Sequence, residues 1–157
     1  MSVSKHKFIV ELISILFVIL FLYTGISKLM DYTIFKEQIA TSALLAPVAR
    51  PIAFWLPVIE FFVVLLIIVP RWRLKGLYVA LALMILFAGY IIAILTFNEH
   101  IPCSCGGVLE LLSWKQHIVF NGVFILMAVT GIVLEKRLRT ISKRIWVSIT
   151  ETKLEHE

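Results

Sequence analysis

The chain has 157 residues, of which 61% are hydrophobic, and its mean hydropathy is +0.98. Soluble domains are only about half apolar, so the composition excludes an ordinary soluble protein and predicts an integral membrane protein whose first partner is membrane lipid. A net charge of +5 would suggest nucleic-acid binding in a soluble protein, but here the basic residues lie beside long apolar runs, so no nucleic-acid partner is expected.

Four apolar segments are long enough to cross a bilayer, which takes about 20 residues per helix. In chain order they cover residues 8–30, 51–69, 74–97 and 114–134. Backbone in lipid must satisfy its hydrogen bonds internally, and runs of this length are too long for barrel strands. The sequence therefore predicts an all-α four-helix membrane bundle over residues 1–135, followed by a basic amphipathic cytoplasmic tail over residues 136–157.

The first segment follows Lys5, His6 and Lys7, an arrangement that also occurs in cleaved signal peptides. Its apolar run is too long for a signal peptide and no small-residue cleavage site follows it, so we interpret it as an uncleaved helix. Between the first and second segments, Ile34–Leu45 carries apolar residues at helical spacing. We expect a short amphipathic helix there, on the outer membrane surface.

Lysine and arginine are distributed unequally between the two sides of the predicted bundle. Of the 15 in the chain, all but Lys28, Lys36, Arg50 and Lys115 lie on the side that holds both termini. The positive-inside rule then predicts a multi-pass protein of the plasma membrane with both termini in the cytoplasm. The loop between the third and fourth helices would face the periplasm or the exterior.

This loop contains the two cysteines of the chain, Cys103 and Cys105, within the stretch HIPCSCGG. Outside the plasma membrane, disulfides form and persist. A disulfide across one intervening residue closes a very small ring, so it restricts the unfolded chain little and is a poor structural crosslink. Strained and exposed disulfides are the labile, oxidising ones, so we interpret the pair as a thiol–disulfide exchange site.

Two other interpretations of the cysteine pair stay open. In one, the chain is a non-catalytic membrane subunit that scaffolds a redox or transport complex, and the cysteines are incidental. In the other, the pair handles a soft metal such as Cu(I). Zinc usually has four protein ligands, and His100 is the only obvious third one here, so the preferred interpretation contains no metal site.

Three polar residues are predicted to lie beneath the cysteine loop. Lys28 is near the outer end of the first helix, and His117 and Asn121 are four residues apart on one face of the fourth. A cation near a cysteine raises its thiolate fraction, which is a role for Lys28; the alternative is that Lys28 extends to the headgroups. His117 is either a proton carrier, an electrophile toward a quinone oxygen or, as we favour, a polar helix-start residue at the headgroup level. For Asn121 we favour an interhelical hydrogen bond over a catalytic role.

Glu60 lies nine residues into the second predicted helix, about 13 Å below its outer end. An ionisable group at that depth is costly and is by default a functional hypothesis. It is either protonated, paired with Lys28, engaged in proton movement coupled to thiol oxidation, or a structural hydrogen-bonding group. The predicted site residues are Cys103, Cys105, Lys28, Glu60, His117 and Asn121.

Five short motifs follow one another along the chain. They are Thr24–Leu29 (TGISKL), Ala49 with Arg50, Pro57–Glu60 (PVIE), Pro102–Gly106 (PCSCG) and Val119–Asn121 (VFN). In this order and topology, up to about residue 135, the chain resembles the MauE/DoxX group of small bacterial membrane proteins, and in particular its methylamine utilisation (MauE) branch. Gly106 departs from the pattern, because many relatives have an aromatic residue at this position.

The resemblance implies a redox-associated protein of the bacterial inner membrane. MauE is linked to maturation of a disulfide-rich dehydrogenase subunit alongside a thioredoxin-like partner, so a thioredoxin-like or other disulfide-containing extracytoplasmic protein is the expected partner. DoxX-like relatives are associated with quinone-linked sulfur oxidation, so a membrane quinone is the cofactor considered, with none certain. Phe54, Phe61 and Phe62 are candidates to line a quinone slot, although lipid-facing or packing positions are more ordinary.

Overall fold

The computed structural model describes residues 3–41, 45–97 and 114–154, and within these ranges it contains helices and no strand. The helices are α1 (Val3–Met30), α2 (Tyr32–Thr41), α3 (Ala49–Ile68), α4 (Arg73–Phe97) and α5 (Trp114–Leu154), with one 3₁₀ turn at Ala46–Val48 before α3. In the described ranges, α1, α3, α4 and α5 are long and apolar enough to cross a membrane. The predicted all-α fold with four spanning helices is therefore confirmed.

The four long helices form a ring in which neighbours run antiparallel. α1 packs against α3 and α5, and α4 lies between α3 and α5 on the far side. Two contacts show that α1 and α5 are antiparallel. A Cβ on Gly131 would lie 3.2 Å from Ile13, whereas Phe17, later in α1, meets Phe124, earlier in α5, edge to face with ring centroids 5.3 Å apart. The ring is an up-down-up-down bundle.

The buried face of α1 shows how the sequence selects this packing. Its buried residues recur every three or four positions: Val10, Ile13, Ser14, Phe17, Leu20, Phe21, Thr24, Gly25 and Lys28. The opposite face is just as apolar, with Phe8, Ile15 and Ile19 exposed. Exposed apolar faces are expected where lipid is the solvent, so hydropathy does not show which face of α1 is buried. The polar residues Ser14, Thr24 and Lys28 show it better, because they lie on the buried face.

The half of the bundle that holds the start of α1 is solidly packed. Its core comes from all four long helices and includes Ile13, Phe17, Val63, Ile67, Leu77, Ala80, Ala128 and Ile132. Gly76 in α4 lets the α3–α4 turn close tightly, because a Cβ there would lie 2.7 Å from Ile67 Cγ1 and 2.9 Å from the Ile67 backbone nitrogen. Only glycine fits at this contact.

The short helix α2 packs on α3. Phe35 and Ile39 are buried against Ala49 and Ala53. The predicted amphipathic helix over Ile34–Leu45 is thus present, but it starts earlier, at Tyr32, and its apolar face covers one end of the bundle. Its depth relative to a membrane surface stays a prediction.

Helix α5 is longer than a bilayer requires. Its 41 residues extend for about 62 Å, twice the roughly 30 Å of a hydrocarbon core. The predicted tail from residue 136 continues α5 without a break as far as Leu154, because neither glycine nor proline follows Gly131 in this segment. Its position on the inner leaflet stays a prediction.

Candidate functional site

A cavity of about 370 Å³ lies in the half of the bundle where α1 ends and α5 begins. All five helices contribute to its walls, which are mostly aliphatic and aromatic. The polar residues among its lining are Thr24, Lys28, Gln38, Glu60, Tyr90, His117 and Asn121. An apolar cavity of this size with a few convergent polar groups is typical of a small-molecule site.

An ion pair lies at the centre of this polar group. The Lys28 ammonium donates to Glu60 Oε1 at 2.7 Å, and both side chains are buried, with 7% and 0% of their surfaces exposed. Lys28 also donates a long hydrogen bond to the carbonyl oxygen of Thr24, 3.4 Å away. Pairing with Lys28 was one of the states predicted for Glu60, and it is the one observed. The alternative that Lys28 extends to the headgroups is wrong, because its side chain turns inward to this carboxylate.

Two aromatic rings complete the surroundings of the ammonium. Lys28 Nζ lies 5.7 Å from the ring centroid of Phe35 in α2 and 5.9 Å from that of Phe87 in α4, within cation–π range. Side chains from α2, α3 and α4 therefore hold a cation that α1 supplies. Taking an ion out of water costs several kcal/mol, and such close partners are what offsets that cost.

The carboxylate of Glu60 is held less completely than the ammonium. Its second oxygen, Oε2, has no hydrogen-bond partner among the described residues. A Cβ on Gly25 would lie 3.4 Å from this oxygen and 3.3 Å from Cζ of Phe61. The glycine therefore lets α1 approach α3 closely at the ion pair, and Glu60 keeps one acceptor for a further donor.

His117 and Asn121 line the same cavity from α5. They are 8% and 3% exposed, and the ring of His117 is turned into the bundle. The headgroup-level depth favoured for His117 stays a prediction. Asn121 Nδ2 donates to the carbonyl oxygen of His117 at 3.0 Å. This bond is within α5, because a carbonyl four residues back is within reach of a short amide side chain. The interhelical hydrogen bond of Asn121 stays a prediction.

The structure thus brings four of the six predicted site residues to one cavity: Lys28, Glu60, His117 and Asn121. Cys103 and Cys105 belong to segment 98–113, which lies outside the described residues. The two helices that this segment joins do reach the cavity, because Ile91 is six residues before the end of α4 and His117 is three residues after the start of α5. The catalytic roles stay predictions.

Some residues at the site were not found from the sequence. Phe87 and Tyr90 lie in an evenly apolar helix, and nothing in its pattern shows which face meets Lys28. The quinone slot suggested for Phe54, Phe61 and Phe62 is not at this cavity, since none of the three lines it. Phe54 and Phe62 are each 56% exposed, as their lipid-facing interpretation requires.

Fold and site together define a small multi-pass membrane protein with a mostly apolar cavity inside its bundle, into which a few polar side chains converge. The family model for methylamine utilisation protein MauE matches residues 6–134, which include α1 apart from its first three residues, all of α2 to α4 and the first half of α5. The chain belongs to the MauE family. No curated protein and no solved structure matches the chain.

Proposed function

We propose that this MauE-family protein is a thiol–disulfide exchange protein of the bacterial inner membrane. Cys103 and Cys105 are its exchanging pair, on a loop that faces the periplasm or the exterior. The observation that carries the proposal is the buried ion pair and imidazole in a cavity at the end of the bundle where the cysteine segment is attached. Buried ionisable groups in a membrane are costly and are usually retained for function.

The exchange step follows from the chemistry of a cysteine pair. A thiolate of the client attacks one sulfur of the Cys103–Cys105 disulfide, forming a mixed disulfide and releasing the other cysteine as a thiolate. The client's second thiol then attacks the mixed disulfide, so the client leaves oxidised and both cysteines are left reduced. Two electrons and two protons have moved from the client to the protein. The client is a thioredoxin-like or other disulfide-containing extracytoplasmic protein.

Renewal of the disulfide needs a two-electron acceptor, and we assign this role to a membrane quinone. The quinone would take two electrons and two protons from the cysteine pair and leave as quinol, restoring the Cys103–Cys105 disulfide. Two features support the assignment: the cavity is large enough for a quinone ring, and its walls are mostly apolar with a few hydrogen-bonding groups.

The polar residues of the cavity have separate parts in this proposal. Lys28 and His117 would donate hydrogen bonds to the quinone oxygens, as cationic and imidazole groups do toward developing negative charge. Glu60 holds Lys28 in place through the 2.7 Å contact, so it acts as a positioning residue. Asn121, whose amide is bonded within α5, shapes the wall of the cavity.

The test uses the full-length protein in lipid nanodiscs with a reduced thioredoxin-like protein and a water-soluble quinone analogue. We expect quinone reduction coupled to thioredoxin oxidation, at a rate that falls at least a hundredfold in Cys103→Ser and in Cys105→Ser. Ser104→Ala, which alters the residue between them, is the matched control and should keep the rate. One of the two cysteine variants should also accumulate a mixed disulfide with the thioredoxin-like protein.

The competing interpretations predict other results. A scaffolding subunit would show no cysteine-dependent oxidation and would co-purify with a partner equally well in both serine variants. A copper-handling protein would bind Cu(I) stoichiometrically, and either serine substitution would abolish that binding. Thiol oxidation that continues without quinone would retain the exchange proposal and remove the quinone assignment.

A further inference from the structure

A second cavity, of about 400 Å³, opens at the opposite end of the bundle, where α1 and α4 begin and α5 passes them. We call it the basic groove. Its charged lining consists of Lys7, Arg73, Glu135 and Arg139, and the rest of it is mainly apolar, from Val3, Leu138, Ile141 and Ile145 together with Ser142. It shares no lining residue with the cavity around Lys28.

One cation of the basic groove, Arg139, already binds groups of the protein itself. Arg139 Nε donates to Glu135 Oε1 at 2.9 Å, which neutralises the single carboxylate that lines the groove. Arg139 Nη2 donates to the carbonyl oxygens of Pro70 and Arg71, at 3.0 and 3.2 Å, and so ties α5 to the α3–α4 turn. The formal charge left to Lys7 and Arg73 is positive.

Arg73 carries an unmet hydrogen-bonding requirement. Its Nε is buried and has no hydrogen-bond partner among the described residues. A buried donor without an acceptor costs free energy, and for a charged group the cost is larger. A guanidinium is also the group best suited to bind a phosphate through two parallel N–H bonds.

We propose that the basic groove binds the phosphate of an anionic phospholipid, with Arg73 and Lys7 as its ligands and an acyl chain along the apolar wall. The position of the groove favours a lipid over free phosphate. Trp72, next to Arg73, is 48% exposed, as an aromatic residue at the membrane interface is, and Phe8, next to Lys7, is 67% exposed on an apolar helix face. Basic clefts between spanning helices are suited to anionic headgroups.

The site differs from general attraction between basic residues and an anionic membrane. Surface lysines attract such a membrane wherever they lie, and the attraction adds up over all of them. A built site instead depends on residues that line one cleft. Lys75 provides the comparison, because it lies two residues after Arg73 on α4, is exposed and does not line the groove.

The experiment measures lipid retention by the full-length protein, purified in detergent and titrated with phosphatidylglycerol or with phosphatidylcholine of the same acyl chains, using native mass spectrometry. We expect one phosphatidylglycerol retained at least tenfold more tightly than phosphatidylcholine. Arg73→Gln and Lys7→Gln should each weaken that retention about five- to tenfold, whereas Lys75→Gln should leave it within twofold of wild type. Arg73→Lys, which keeps the charge but not the planar fork, should fall between wild type and Arg73→Gln.

Three results would overturn the proposal. If Lys75→Gln and Arg73→Gln weakened phosphatidylglycerol retention equally, the lipid would be held by general surface attraction. If the wild-type protein retained phosphatidylglycerol and phosphatidylcholine equally, the headgroup would not be recognised. If millimolar inorganic phosphate displaced the lipid completely, the ligand would be free phosphate. Should Arg73→Gln fail to fold, as judged by gel filtration, Lys7→Gln and Arg73→Lys decide the question.

Discussion

The Lys28–Glu60 pair is the residue-scale feature on which the interior of this protein depends. Both groups are almost fully buried, and each is the other's closest charged partner in the described structure. Buried ion pairs are weak evidence for stability, because desolvation offsets much of their attraction. Removing one partner, however, leaves the other as an uncompensated charge.

For Glu60→Ala we therefore expect a loss of about 3–5 kcal/mol in the free energy of unfolding. The measurement is equilibrium unfolding in mixed detergent micelles. Glu11→Ala is a suitable control, because Glu11 is only partly buried and lies far from the cavity on α1; its cost should stay below about 1 kcal/mol.

The double variant Lys28→Met with Glu60→Leu separates charge from packing. Because both charges are removed together and their volumes are kept, it should recover most of the stability lost in Glu60→Ala. If the double variant were as unstable as Glu60→Ala, the loss of stability in Glu60→Ala would come from altered packing and not from the unpaired charge of Lys28. Loss of quinone reduction in a stable double variant would support the proposed role of Lys28.

At the scale of the helices, two glycines determine how closely neighbouring helices approach each other. Gly25 and Gly76 bring α3 close to α1 and to α4, whereas a Cβ on Gly89 or Gly122 would meet no atom within 4 Å. Small residues at such contacts are the usual means of packing helices in a membrane, where hydrophobicity cannot drive helices together.

Gly76→Ala is expected to destabilise the bundle by about 1–3 kcal/mol, because the new methyl group would press on the Ile67 backbone, which cannot move aside as a side chain can. Gly89→Ala is the matched control on the same helix, and with open space around it the change should be neutral or stabilising. Thermal unfolding in the same detergent compares the two. Equal effects of both substitutions would show that the α3–α4 contact is not as close as described.

At the scale of the whole molecule, the fold was predictable from the sequence. Four long apolar runs leave a chain in lipid little alternative to four helices. The polar residues Lys28, Glu60, His117 and Asn121 mark the side of α1, α3 and α5 that avoids lipid. Helix ends were less well predicted. Residues 3–7 and 135–154 are less apolar than the runs they adjoin but contain neither glycine nor proline to stop a helix, so α1 and α5 extend beyond the hydrophobic runs.

The surroundings of the site could not be predicted in the same way. In a membrane, the lipid-facing and buried faces of a helix are equally apolar, so the pattern of α4 does not show that Phe87 faces Lys28. The sequence does offer the Lys28–Glu60 pair as one of several states, but it does not select that state, because the two residues are 32 positions apart in the chain. Such contacts are properties of the assembled bundle.

In the function we propose, Cys103 and Cys105 form an outward-facing, exchangeable disulfide. The most direct test treats intact cells with a membrane-impermeant maleimide that adds mass, with and without prior reduction. We expect labelling only after reduction, with two additions in the wild-type chain and none in the double Cys103→Ser, Cys105→Ser variant. Equal labelling without reduction would contradict the resting disulfide, and no labelling after reduction, with labelling restored once the cells are permeabilised, would contradict the proposed topology.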